Sequence, residues 1–159
     1  MSGRALSSLD NAGVHPMRSS LQVAVIACIA FFAAGPAAQA EDPIQTTQTV
    51  IEEQIEAFLH NDASTAYSFA APGIKALYPD KDTFFAMVKR NYQPVYHPGN
   101  YAFGRSKSVD GGAVIYHEVL ITGRDGKDWS AIYELTRQAD GSYKINGVQI
   151  VPNTTSQGI

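Results

Sequence analysis

Two hydrophobic periods divide the chain. Before Asn91 apolar residues recur at helical spacing, and from Tyr101 onward they alternate every second residue. Ile51, Ile55, Phe58 and Leu59 form one helical stripe, with Glu52, Glu53 and Glu56 on the wet side. Asp42 is placed to cap that helix, Pro43 sits where its missing N–H costs nothing, and Gln45 holds the capping-box position. Asn61-Asp62 interrupts the stripe. Asp62 then caps a second, short helix through Ala63, Thr65, Ala66 and Tyr67, which Pro72-Gly73 is expected to stop. Ile74 to Tyr78 reads as a short link or a single turn. Asp80 or Asp82 caps a third helix from Thr83 to about Asn91, with Phe84, Met87 and Val88 on its buried face. Pro94, Pro98 and Gly99 predict a loop or an irregular edge.

The alternating half predicts strands over Tyr101 to Lys107, Val114 to Ile121, Trp129 to Thr136 and Tyr143 to Val151. Asp110-Gly111-Gly112, Asp125-Gly126 and Asp140-Gly141 separate them, and such pairs tolerate the positive φ of tight hairpins. Helices first and a meander of about four strands second make an α+β domain, with the helices packed on one face of an antiparallel sheet.

Ahead of both halves lies a run of a different kind. Met17-Arg18 opens a segment that is apolar from Leu21 to Ala34 and ends in Ala38-Gln39-Ala40. A basic start, an apolar core and small residues at the cleavage positions describe a secretory signal peptide cut after Ala40. Residues 1–40 are therefore read as a leader with 17–40 as its core, starting at either Met1 or Met17. Gly35-Pro36 and the acidic Glu41-Asp42 argue against a membrane anchor, which needs about 20 apolar residues. Val25-Ile26-Ala27-Cys28 loosely resembles a lipobox, so lipidation at Cys28 is the alternative. The expected product is periplasmic or secreted, without stable membrane insertion. It comprises one domain over 41–152 and a flexible tail over 153–159.

Setting aside Arg4, Arg18 and Asp10 of the leader leaves 10 basic against 14 acidic residues, a net charge of −4. That balance lacks the basic footprint of a nucleic-acid binder. The only cysteine, Cys28, falls in the leader, so the mature chain has no disulfide and no thiolate site.

Several groups of residues resemble one bacterial family. They are Gln54-x-x-Ala57-Phe58, Asp62, Ala66-Tyr67-Ser68-Phe69-Ala70-x-Pro72 and Ile74; Phe84, Met87-Val88, Tyr92-x-Pro94-Val95 and Phe103-Gly104; and Trp129-x-Ala131-x-Tyr133 with Asp140-Gly141-Ser142-Tyr143-Lys144-Ile145-x-Gly147. Together, over roughly residues 47 to 151, they resemble the DUF4864 family of uncharacterised bacterial proteins. More distantly the layout is similar to the NTF2-like, cystatin-type cone, in which helices cover a strongly curved sheet. The resemblance implies that cone and no assigned activity. The wider superfamily holds both ligand binders and enzymes such as ketosteroid isomerases and polyketide cyclases, but their roles do not map residue by residue onto this chain.

The candidate chemistry is sparse. In His60 to Pro72 a histidine, an aspartate, a threonine and a tyrosine lie close together. Asp62 belongs at a helix cap, and His60 suits a helix C-terminus, which leaves the hydroxyl of Tyr67. That hydroxyl meets either a cavity or a core partner. His117 shares its strand face with Ile115, Val119 and Ile121, while Glu118 points the other way with Tyr116, Leu120 and Thr122. His117 is thus either a buried, bonded core residue or a cavity acid–base. Tyr67, Phe84, Tyr92, His117, Trp129, Tyr133 and Tyr143 are the candidate ligand-binding set, since an apolar concavity with a few hydroxyls is the usual form of a small-ligand site.

No metal-ligand spacing, serine elbow or phosphate-cradling loop is present, so neither metal nor cofactor is expected. Two readings follow. One is a small-ligand-binding or accessory domain without catalysis, taking a small apolar or mixed-polarity molecule. The alternative is a cofactor-free NTF2-like enzyme of isomerase or cyclase/lyase type, with His117 as acid–base and Tyr67 or Tyr133 as hydrogen-bond donor to a developing anion. Tyr116, Glu118 and Lys144 on the outer sheet face offer a surface for a homodimer.

Overall fold

The computed structural model describes residues 42–153. The leader expected over 1–40, its cleavage at Ala40, the thiol of Cys28 and the tail beyond Asn153 lie outside the described residues. Five helices precede four strands: α1 Pro43–Leu59, α2 Ala63–Ser68, α3 Pro72–Leu77, α4 Lys81–Asn91, α5 Gln93–Tyr96, then β1 Pro98–Val109, β2 Val114–Gly123, β3 Asp128–Arg137 and β4 Tyr143–Pro152. The strands form one open antiparallel sheet in the order β1-β2-β3-β4. The architecture is α+β.

Local chemistry accounts for the helix starts. Asp42 accepts from the Ile44 N–H at 3.0 Å with Pro43 at the first helical position. Asp62 accepts from the Thr65 N–H at 3.0 Å, and Asp80, rather than Asp82, accepts from the N–H groups of Asp82 and Thr83 at 3.0 and 2.8 Å. Asn61 separates α1 from α2 at a φ of +57°, a conformation its short side chain tolerates, and the Tyr96 hydroxyl donates to that side chain.

Pro72 departs from the expected helix stop and Pro94 from the expected loop, whereas at Pro98 and Gly99 the expected irregular edge is present, since the register of the edge strand β1 shifts there. α2 ends at Ser68, and Pro72 begins α3 instead of ending α2. The residues between run beside β4: the Ala71 N–H donates to the Ile145 carbonyl and the Ile145 N–H to the Phe69 carbonyl, each at 2.8 Å. The backbone of 69–71 is therefore committed to the sheet edge, and Pro72 starts the next turn, where it needs no N–H acceptor. Pro94 likewise lies in the single turn of α5, and Pro98 opens β1, three residues ahead of the expected strand start.

The core lies between the helices and the inner sheet face. Ile51, Ile55 and Phe58 of α1 and Phe84, Phe85 and Val88 of α4 pack toward Ile115, Val119, Ala131, Leu135 and Ile145 of the strands. The register first shifts at the start of β1, between Pro98 and Asn100, and two further irregularities shape the sheet. Gly104 and Arg105 together oppose Glu118, and Asn146 is the extra residue opposite the Glu134–Leu135 step. Both are bulges, which bend a strand and re-aim the side chains beyond them.

Candidate functional site

His117 stands on the inner face of β2, fully buried. Its Nε2 lies 2.6 Å from Thr47 Oγ1 on α1, and its Nδ1 lies 2.7 Å from Ser106 Oγ on β1. The Thr47 hydroxyl also reaches the carbonyls of Pro43 and Ile44, at 2.7 and 3.0 Å. Carbonyls only accept, so the single Thr47 proton goes to them. Nε2–H of His117 then donates to Thr47, and Nδ1 accepts from the Ser106 hydroxyl. Both ring nitrogens are satisfied with the imidazole neutral. Burial lowers the histidine pKa below its ordinary value, which favours the same form. The Phe103 ring meets the imidazole edge-on, with centroids 5.9 Å apart.

Tyr133 is the cross-strand partner of His117 and is also fully buried. Among the described residues its hydroxyl has no hydrogen-bond partner, and burial raises its pKa far above the ordinary phenol range. The Tyr67 hydroxyl donates to the Tyr78 carbonyl at 2.6 Å, while its ring packs against Phe84 at 5.4 Å. His117 and Tyr133 are neighbours across β2 and β3, Tyr67 packs apart from them among the helices, and none of the three lines the surface hollows described below.

A hollow of about 250 Å³ opens between α1, α3, α4, the α4–α5 junction and β4. Phe58, Ile74, Leu77, Met87, Val88, Val95 and Val148 form its apolar wall, and Phe84 and Tyr92 from the candidate set lie in it. The polar contribution comes from Gln54, Tyr78, Tyr92 and Asn146. Gln54 is only 3% exposed, and its Nε2 donates to the Ala66 carbonyl at 3.2 Å. A carbonyl partner fixes the amide orientation, so Gln54 Oε1 is the free end. It has no protein partner among the described residues. Leu77 at the rim is 75% exposed.

The remaining candidates lie elsewhere. Trp129 borders a second hollow at the β2–β3 turn. Tyr143 is a structural tie: its hydroxyl accepts from Arg137 Nε and Nη2 at 3.0 and 2.8 Å and donates to the Gly112 carbonyl at 2.5 Å. Gly112 has a φ of +89°, and a Cβ there would stand 3.1 Å from the Arg137 guanidinium, so the tie requires glycine at that turn. On the outer face Glu118 pairs with Arg105 at 3.2 Å, and Lys144 donates to the Ser68 carbonyl at 3.0 Å. Among the described residues no three His, Asp or Glu side chains gather as a metal site would require.

Gln54, absent from the candidate set, carries a signal in the sequence. It falls three residues after Ile51 and four before Phe58, on the buried stripe of α1. A polar side chain on an apolar stripe needs a partner or a purpose. Met87, Val148 and Leu77 carried no such signal, because a hollow wall and a core wall have the same composition.

No curated protein matches the chain significantly. The family model described as "Domain of unknown function (DUF4864)" matches residues 39–158, and the chain belongs to that family.

Proposed function

We propose that this protein is an exported, non-catalytic domain of the NTF2-like cone type that binds a small, largely apolar molecule in the hollow between α1, α4 and β4. The observation that supports this reading is the pairing of an apolar wall with the buried Gln54, whose Oε1 has no protein partner among the described residues. That oxygen is not sealed from solvent, so a ligand N–H or O–H can take the place of water on it. The volume lies below the roughly 300–1,000 Å³ common for drug-sized ligands, which favours a compact molecule. The catalytic alternative has less in its favour. Both nitrogens of His117 are engaged, and the Tyr67 proton is held by a carbonyl.

The test is native mass spectrometry of protein recovered from the periplasm, followed by thermal-shift titration with short alcohols and phenols. Retained mass or a saturable rise in Tm is expected, abolished by Met87→Trp, which fills the hollow. A blank for the native protein across both measurements, or a response unchanged in Met87→Trp, would sink the reading. N-terminal sequencing of the exported chain, with a start at Glu41 expected, checks the export half independently.

A further inference from the structure

We propose a second binding site, for a small organic oxyanion with a planar body, in the hollow beside Trp129. The hollow has a volume of about 540 Å³ and lies where the end of α4, α5, the β2–β3 turn and the inner face of β4 converge. Arg90 and Arg124 both border it. Among the described residues neither guanidinium has a carboxylate or a hydrogen-bond partner. The indole N–H of Trp129 likewise has no acceptor among them. Three unused donor groups thus gather on this wall.

The one carboxylate there, Asp125, is already neutralised. Its Oδ2 pairs with Lys127 Nζ at 3.1 Å, and its Oδ1 accepts from the Lys127 N–H at 3.2 Å. Gln93 is also engaged, donating to the Lys89 carbonyl. The field at His97 has the same sign. Its pKa falls through burial first and then through the charges of Arg124 and Lys89, so the imidazole is neutral at pH 7 and leaves the positive charge of this wall to the arginines. The carbonyl end of α4 works against an anion, but its charge of about half a unit is outweighed by two guanidiniums. Guanidinium forks match carboxylate and phosphate geometry, and an indole face accepts a flat ring. Carboxylate and phosphate ester share this chemistry and are both admitted.

The site carries its own reporter, because Trp129 is the only tryptophan in the chain. Indole emission should be followed during titration with benzoate, with phenyl phosphate and with inorganic phosphate. A saturable change with at least one of the two aromatic anions is expected. Affinity should fall about tenfold or more in Arg124→Gln and in Arg90→Gln, the loss typical of one charge-assisted hydrogen bond. Arg105→Gln, on the outer sheet face, should leave it unchanged. Because both arginines are exposed and unpartnered, the variants should retain native Tm. The proposal is overturned if neither aromatic anion saturates, or if both arginine variants titrate like the native protein. Inorganic phosphate binding as tightly as phenyl phosphate would overturn the role assigned to the planar body.

Discussion

His117 Nε2 and Thr47 Oγ1 meet at 2.6 Å across 70 residues of sequence, joining the second strand to the first turns of α1. Thr47 is itself fully buried and returns its own proton to the helix backbone. Thr47→Val keeps the shape and leaves the His117 N–H without an acceptor. A loss of about 1–3 kcal/mol in denaturant-unfolding free energy is expected, with Thr47→Ser losing less. Equal losses in the two variants would show that packing, not the hydroxyl, matters.

The same histidine sets a pH dependence. Its folded pKa lies below the ordinary value of 6.5, so on acidification the unfolded chain takes up this proton before the folded chain does. The contribution is fully present above pH 6.5 and is lost as pH falls from there toward the lower folded pKa. Unfolding free energies at pH 7.5 and pH 5 should differ more for the native protein than for His117→Gln. His97 is shifted in the same direction but remains in both proteins, so the difference isolates His117. An identical pH slope in both would remove His117 as its source.

The orphan hydroxyl of Tyr133 makes an opposite prediction. Tyr133→Phe deletes a buried, unpartnered polar atom and keeps the ring. Thermal unfolding should show stabilisation, by about 1 kcal/mol. Destabilisation would mean that a buried water satisfies the hydroxyl.

Tyr67 separates structure from function. Its hydroxyl holds the Tyr78 carbonyl just ahead of the cap of α4. Tyr67→Phe should cost about 1 kcal/mol of stability and leave ligand titration of the apolar hollow unchanged. A large loss of ligand affinity at unaltered stability would return Tyr67 to the list of site residues.

The α+β order was legible in the chain because period and punctuation act locally. The stripe of α1, the aspartate caps and the Asp-Gly turns depend on neighbours a few residues away, and they appear where expected. Alternation along β2 likewise put His117 inside and Glu118 outside. The proline misreadings were of another sort: Pro72 ends nothing, because residues 69–71 are already paired with β4, a segment more than 70 residues later.

What surrounds each candidate side chain was settled by long-range packing. Straight alternation from Phe103 would carry Arg105 to the inner face opposite His117. The bulge at Gly104-Arg105 shifts the phase by one residue, sends Arg105 out to Glu118 and brings Ser106 to Nδ1. A periodic reading contains no term for that extra residue, since its cause is the pairing with another strand. For the same reason the aromatic set scattered. Phe84 and Tyr92 reached one hollow, Trp129 another, and Tyr143 a turn, because residues on one face share a pocket only when the elements above them leave a gap there. Local chemistry dictated which faces turn inward. Where the helices failed to close over the sheet, and so where a ligand has room, depended on how the two layers met.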